Sequence, residues 1–281
     1  MSKSVYEMIT DRIIKQLESG VIPWEKPWTG VRSGAFNRVS KRPYSLLNQM
    51  LLKHTGEYAT FKQWQELGGK IRKGEKSEMV VFWKMTKITE EKDGEKNEKI
   101  IPMLRYYNVF HISQVDGVEP LPVKELQPLE PIEEAENIKE AYKCRENIQI
   151  FEKVTNRAFY SPSNDYIEVP CKDQYKHVEE FYSTLFHEMV HSTGHMTRLE
   201  RFEQGAKIAS FGTPDYSKEE LVAEIGAATL LSVIGIETSK TFNNSTAYIQ
   251  SWLRVLKNDN KFIVSASSKA EKAVKYILGQ E

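Results

Sequence analysis

The sequence predicts an α+β protein in two parts: a basic α+β N-terminal domain, then a mainly helical domain that carries one short β-hairpin. Three observations lead there. Apolar residues recur at helical spacing at the start of the chain and through most of its second half. Two runs rich in Val, Ile, Tyr and Phe, SEMVVFWKMTKI and IPMLRYYNVFHISQV, flank the charged EEKDGEKNEK and read as paired strands with a hairpin tip or mobile loop between them. Pro120, Pro122, Pro128 and Pro131 crowd a segment through which neither a helix nor a central strand can run. With 281 residues, 40% of them hydrophobic, the chain is long enough for two packed domains. They are placed at 1–117 and 133–281, with 118–132 as linker.

Val5, Met8, Ile9, Ile13 and Leu17 define a first helix that Gly20 closes. A second helix is expected from Ser45 to His54. A third follows Thr60 as N-cap and stops at Gly68-Gly69. In the second domain helices are expected at 133–146, 176–193, 217–235, 245–257 and 267–278. Between the first two, AFYSPSNDYIEVP reads as a hairpin turning at SPSND.

The formal net charge is zero, yet residues 1–115 hold 20 Lys and Arg against 13 Asp and Glu. The first domain is therefore basic and the second acidic, a polarity that points to an anionic polymer as partner. No stretch approaches the roughly 18 apolar residues of a membrane span, and Glu7 and Asp11 lie where a signal peptide needs an apolar block. A cytoplasmic protein with no membrane partner is expected. Cys144 and Cys171 are too few for a disulfide scaffold and read as reduced thiols.

His187-Glu188-Met189-Val190-His191 is the sharpest chemical signal. Two histidines four apart leave one face of a helix together, so both imidazoles can reach one Zn2+ ion. Glu188 lies beside them, placed to take a proton from a water that the metal has acidified, as amide hydrolysis requires. A third ligand is needed, and His195, Glu220 and Glu224 compete for that place. The metzincin spacing HExxHxxGxxH keeps Gly194 but puts Thr197 where its third histidine belongs. KEELVAEIG instead resembles the second metal-binding helix of thermolysin-like zincins. That pattern makes Glu220 the ligand and Glu224 the acid that steadies the first histidine, while Glu219 reads as part of a solvated helix face.

In the basic domain Lys41, Arg42, Lys70, Arg72, Lys73 and Lys76 gather near glycines. Trp24, Trp28, Tyr44, Trp64, Phe82, Trp83, Tyr106 and Tyr107 are interleaved with them. Cations beside stacking faces suit single-stranded nucleic acid, with Trp24, Trp28 and Trp64 as candidate platforms.

Taken together, VIPWEKPW, RPYSLLNQMLL, YATFKQWQELGGKIRKGEKSEMVVFWK and YYNVFHISQVDG are similar to the N-terminal single-stranded-DNA-binding domain of the ArdC family of antirestriction proteins. AFYSPSNDYIEVP, FYSTLFHEMVHSTGHMTRLER, SKEELVAEIGAATL and YIQSWLRVLKND resemble that family's zincin-like metallopeptidase domain. One departure is Ser192, where the family often has Trp. The resemblance implies a protein of a mobile element that coats incoming single-stranded DNA during conjugation and shields it from restriction. A protein substrate or a restriction endonuclease is the candidate protein partner. An alternative expectation is a DNA-protecting protein whose metal site is structural or catalytically inactive.

Overall fold

The computed structural model describes residues 3–25, 34–92, 95–122, 130–202, 214–236 and 246–280. Helix α1 (Val5–Glu18) opens with a capping box in which Ser4 and Glu7 satisfy each other's backbone N–H groups. Helix α3 (Phe61–Glu66) starts the same way, with Thr60 and Gln63. Between them α2 (Leu46–Leu51) is shorter than the sequence suggests, because Leu52 turns extended and is buried. The two long predicted strands pair antiparallel as β4 (Glu78–Lys92) and β5 (Glu95–His111). Their ladder runs through the charged stretch to Lys92 opposite Glu95, so that stretch is a hairpin tip.

Short strands complete the first half. β1 (Ala35–Asn37) and β2 (Gly56–Ala59) extend the sheet in the order β1-β2-β5-β4, and β3 (Lys70–Ile71) pairs with β6 (Val115–Asp116). Neighbouring side chains of α2 each satisfy one backbone position on an edge strand of this sheet. Asn48 accepts from Val81 N–H and donates to Val81 C=O on β4, at 2.8 and 2.9 Å. Gln49 does the same for Ala35 on β1, both at 2.8 Å.

The second half holds α4 (Pro131–Glu146), β7 (Gln149–Lys153), β8 (Phe159–Ser161), β9 (Tyr166–Pro170), α5 (Val178–Ser192), α6 (Pro214–Ile234), α7 (Thr246–Asn258) and α8 (Phe262–Ile277). β7 is a strand the sequence did not signal. It is an edge strand whose residues are mostly exposed, so it lacks apolar alternation. α8 begins five residues before its predicted start, because Phe262, Ile263, Val264 and Ala266 are all buried. α6 is apolar around most of its girth, with Leu221, Val222, Ala223, Ile225, Ala227, Ala228, Leu230 and Leu231 buried, and it touches α4, α5, α7 and α8.

One large core draws on both halves. Ile9, Ile13, Leu17, Leu46, Leu47 and Met50 join the helical residues of the second half. Thr10 Oγ1 donates to Asn260 O at 2.8 Å, and Glu271 accepts from Leu46 N–H at 3.1 Å. Trp24 corrects an expectation here: it is 1% exposed and meets Trp252 edge to face at 5.2 Å. Its ring is packing, not a platform for bases. Trp64 is corrected likewise, fully buried with its indole N–H donating to Phe110 O at 2.9 Å. Ser192, also buried, bonds Tyr142 through its hydroxyl at 2.8 Å and so joins α5 to α4.

Asn48→Ala would strip both partners from Val81 at the sheet edge and should cost about 2–4 kcal/mol, read from the denaturant midpoint at unchanged m-value.

Candidate functional site

Helix α5 carries His187, Glu188 and His191 on a face turned into the protein. Phe181, Tyr182, Leu185, Phe186, Met189 and Val190 anchor the rest of it in the core. Glu179 and Glu180 in its first turn suit the positive end of the helix dipole. α6 crosses α5 where Gly226 faces Val190. A Cβ at Gly226 would lie 2.7 Å from a Val190 methyl, so only glycine lets the helices come this close. That approach carries the glutamates of α6 to the histidines.

His187 Nε2 and His191 Nε2 lie 3.0 Å apart, and Glu220 places its two carboxylate oxygens 3.5 and 3.3 Å from them. Among the described residues these three form the one group able to hold a metal ion. The opposite nitrogens face carboxylates as well. His187 Nδ1 is 3.7 Å from Glu224, and His191 Nδ1 is 3.5 Å from Glu219. A carboxylate thus stands behind each ring at ion-pair distance, and among the described residues His191 Nδ1 is buried without a hydrogen bond.

The surrounding carboxylates favour a positive charge at this place. Burial works to lower both histidine pKa values, but the glutamates outweigh it: His187 is raised by Glu220, Glu224 and Glu188, and His191 reaches about 10 through Glu219, Glu220 and Glu188. Burial also opposes ionisation of Glu220, which its bonds to the two histidines hold well below the usual carboxylate range. Glu224, which burial pushes up, has one oxygen with no hydrogen-bond partner. Glu188, Glu219, Glu220 and Glu224 gather around the two histidines, with Glu219 paired to Arg201. A divalent cation would take the place of the protons these carboxylates favour on the rings, and two imidazoles with one carboxylate are a donor set that fits such an ion.

Glu219 departs from its reading as solvated surface. Arg201, itself buried, donates to both its oxygens, at 2.7 and 3.3 Å, and to Val190 O and Thr193 Oγ1 at the end of α5. Its place on a helix that is buried on nearly every side was the signal available for it. His195 is not drawn into the group, and its Nδ1 lies 2.8 Å from Thr197 Oγ1. Nearby Arg198 forks onto Asp165 with two 2.8 Å bonds and donates to Ser192 O, tying the β8–β9 turn to the end of α5.

Residues 3–110 match the N-terminal domain of the anti-restriction factor ArdC, and residues 134–269 match a zincin-like metallopeptidase family. Two crystal structures of the antirestriction ArdC protein from the R388 plasmid, one metal-free and one Mn(II)-bound, are 32% identical and superpose with TM-scores of 0.76 and 0.78. The alignments cover 99% of this chain and 100% and 98% of those. The chain belongs to the ArdC antirestriction family. Uncharacterized protein y4eC of Sinorhizobium fredii is 30% identical across 99% of the chain and 92% of its own length. Two Escherichia coli proteins, each named DNA primase TraC, are 31% identical, but the chain spans only 28% and 20% of their lengths. No helix among the described residues is long and apolar enough to cross a membrane.

In the ArdC-like N-terminal half the predicted cations are on the surface. Lys41 and Arg42 close an exposed turn after β1, with Lys41 at φ 60°. Lys70, Lys73 and Lys76 are exposed and have no ion-pair partner among the described residues. Arg72 is committed to Glu75 and Asp116 at 3.1 and 3.5 Å, so it braces the β3–β6 pair. Trp28 lies outside the described residues. Exposed rings stand instead on the β4–β5 ribbon, Phe82, Trp83, Tyr106 and Tyr107, between 42% and 55% exposed, and at Phe61 on α3.

Glu219→Gln should weaken metal binding about 10- to 100-fold in competition with a chromogenic chelator, because His191 loses the negative charge that stands 3.5 Å behind its ring. Burial works to raise the Asp165 pKa, but Arg198 and the Tyr160 hydroxyl hold it below the usual carboxylate value. Its contribution to stability is therefore full above the ordinary carboxylate pKa and lost as pH falls through the lowered one. Asp165→Asn should lower the melting temperature at neutral pH and flatten its fall in acid.

Proposed function

We propose that this ArdC-family chain binds single-stranded DNA of a mobile element, shields it from restriction, and holds a zinc ion at a peptidase centre. What carries the second part is the convergence of His187, His191 and Glu220, with a carboxylate behind each imidazole. Bound there, the ion would supply Lewis acidity toward a peptide carbonyl. Glu188 adjoins His187 and is 7% exposed, and its carboxylate takes the proton of the attacking water and passes it to the leaving amine. Glu219 and Glu224 keep the two rings in the tautomer that ligates, and Arg201 fixes Glu219 for that task.

The DNA reading is supported by the ArdC-like N-terminal domain, the exposed Lys70, Lys73 and Lys76, which have no ion-pair partner among the described residues, and the half-exposed rings of the β4–β5 ribbon. Cations for phosphates and rings for bases make a surface that tolerates any sequence.

Metal analysis of the purified protein should give one zinc per chain, lost in Glu220→Ala and kept in Glu188→Gln, which should lose cleavage of an unfolded protein substrate such as casein. A wild type that takes up no divalent ion overturns the metal reading. Fluorescence anisotropy with a labelled single strand should show affinity falling with salt, by about 0.7 in log slope per phosphate contact, and falling further in Lys73→Glu/Lys76→Glu. A flat salt dependence overturns the DNA reading.

A further inference from the structure

A groove of about 550 Å³ opens on one face of the sheet, lined by Asn37, Tyr44, Thr60, Gln63, Phe82 and Tyr107. Phe82 and Tyr107 project from the same face, since Val80 pairs with Tyr107 and Phe82 with Arg105 in the antiparallel register. They are 46% and 42% exposed and meet edge to face at 5.9 Å. Tyr44 tilts against Phe82 at 6.1 Å. Half-exposed aromatic rings side by side are uncommon on a surface that contacts only water.

The polar lining is incompletely used. Gln63 Oε1 accepts from Thr60 N–H, Thr60 Oγ1 and Asn37 Nδ2, at 3.0, 3.2 and 3.3 Å. No hydrogen bond among the described residues uses Gln63 Nε2. Tyr44 is only 6% exposed, and its buried hydroxyl lies beside the Asn37 side chain without completing a well-formed hydrogen bond there. A buried hydroxyl is normally fully satisfied, so this one keeps capacity for a further polar atom at the groove wall. On the same face of the ribbon stand Arg105, opposite Phe82, and Lys84, two residues further along β4. Both are exposed and neither has an ion-pair partner among the described residues.

Ring faces to stack on, hydrogen-bonding groups to meet a polar edge, and cations alongside are the complement of a nucleotide. A peptide aromatic ring would use the stacking surface but leave the donors and the cations unmet. We propose that this groove receives one unstacked nucleobase of single-stranded DNA. The base lies against Phe82 and Tyr107, and its ring nitrogens or carbonyl oxygens meet the Tyr44 hydroxyl and the Gln63 amide. Arg105 and Lys84 meet the flanking phosphates. This inference rests on the reading that the chain binds single strands, and it locates where a base is held.

The test uses the full chain and two labelled strands of equal length and charge, oligo(dT) and an abasic counterpart. Phe82→Ala/Tyr107→Ala should bind oligo(dT) at least about tenfold more weakly than wild type, with the same salt slope. Tyr44→Phe, which keeps the ring and its packing, should lose a few-fold. On the abasic strand all three proteins should bind alike. If the double variant and Tyr44→Phe bind oligo(dT) as tightly as wild type, or if the double variant loses equally on both strands, the groove is not a base site. Wild type that binds no single strand overturns the DNA reading itself.

Discussion

The close packing of α6 on α5 at Gly226 is the constraint on which the candidate centre depends. Val190 fills the space that any larger residue would need, and the interhelical distance is therefore set by a missing side chain. At that distance three glutamates of one helix reach two histidines of the other: Glu220 between the imidazoles, Glu219 behind one and Glu224 behind the other. A wider spacing would leave the carboxylates buried without partners, which an apolar interior does not tolerate. Apolar packing around most of α6 holds this arrangement, so the candidate ligands inherit the rigidity of the core.

Arg201 and Arg198 work on the same helix end in different ways. Arg201 bonds Glu219, Val190 O and Thr193 and couples the last turn of α5 to α6. Arg198 couples the end of α5 to the β8–β9 turn through Asp165, and its side chain, 1% exposed, is also paired with Glu146 of α4. Both guanidiniums sit among backbone carbonyls that end a helix, where a cation is favoured. The histidine pair thus lies on a helix that is fixed at its apolar face by the core and at its C-terminus by two buried arginines.

In the N-terminal half the same aromatic residue types divide between two roles. Trp24 and Trp64 fill cores, the first of them the large core shared with the C-terminal helices. Phe82 and Tyr107 stand on a sheet face that is covered only in part, where Tyr44, Leu52, Tyr58, Val80 and Val109 make a small separate core. Asn48 and Gln49 each pair one backbone position on the edge strands, at Val81 and Ala35, and so seat α2 against this sheet.

The sequence by itself determined the α+β class, the long hairpin, most of the helices and the HExxH pair, because periodicity and i, i+4 spacing are local properties. Asn48 and Gln49 were legible as helix residues but not as caps for two strands, since their partners lie 33 and 14 positions away. Thermolysin-like spacing singled out Glu220 and Glu224, whereas Glu219 was read as solvated. Only the fold shows that α6 is buried around most of its girth and that Arg201 waits opposite. Tryptophan likewise gives the same sequence signal whether it stacks on a base or fills a core. Tertiary packing decided that Trp24 and Trp64 go inside and that Phe82 and Tyr107 stay half outside, because burial depends on which surfaces meet across the whole chain.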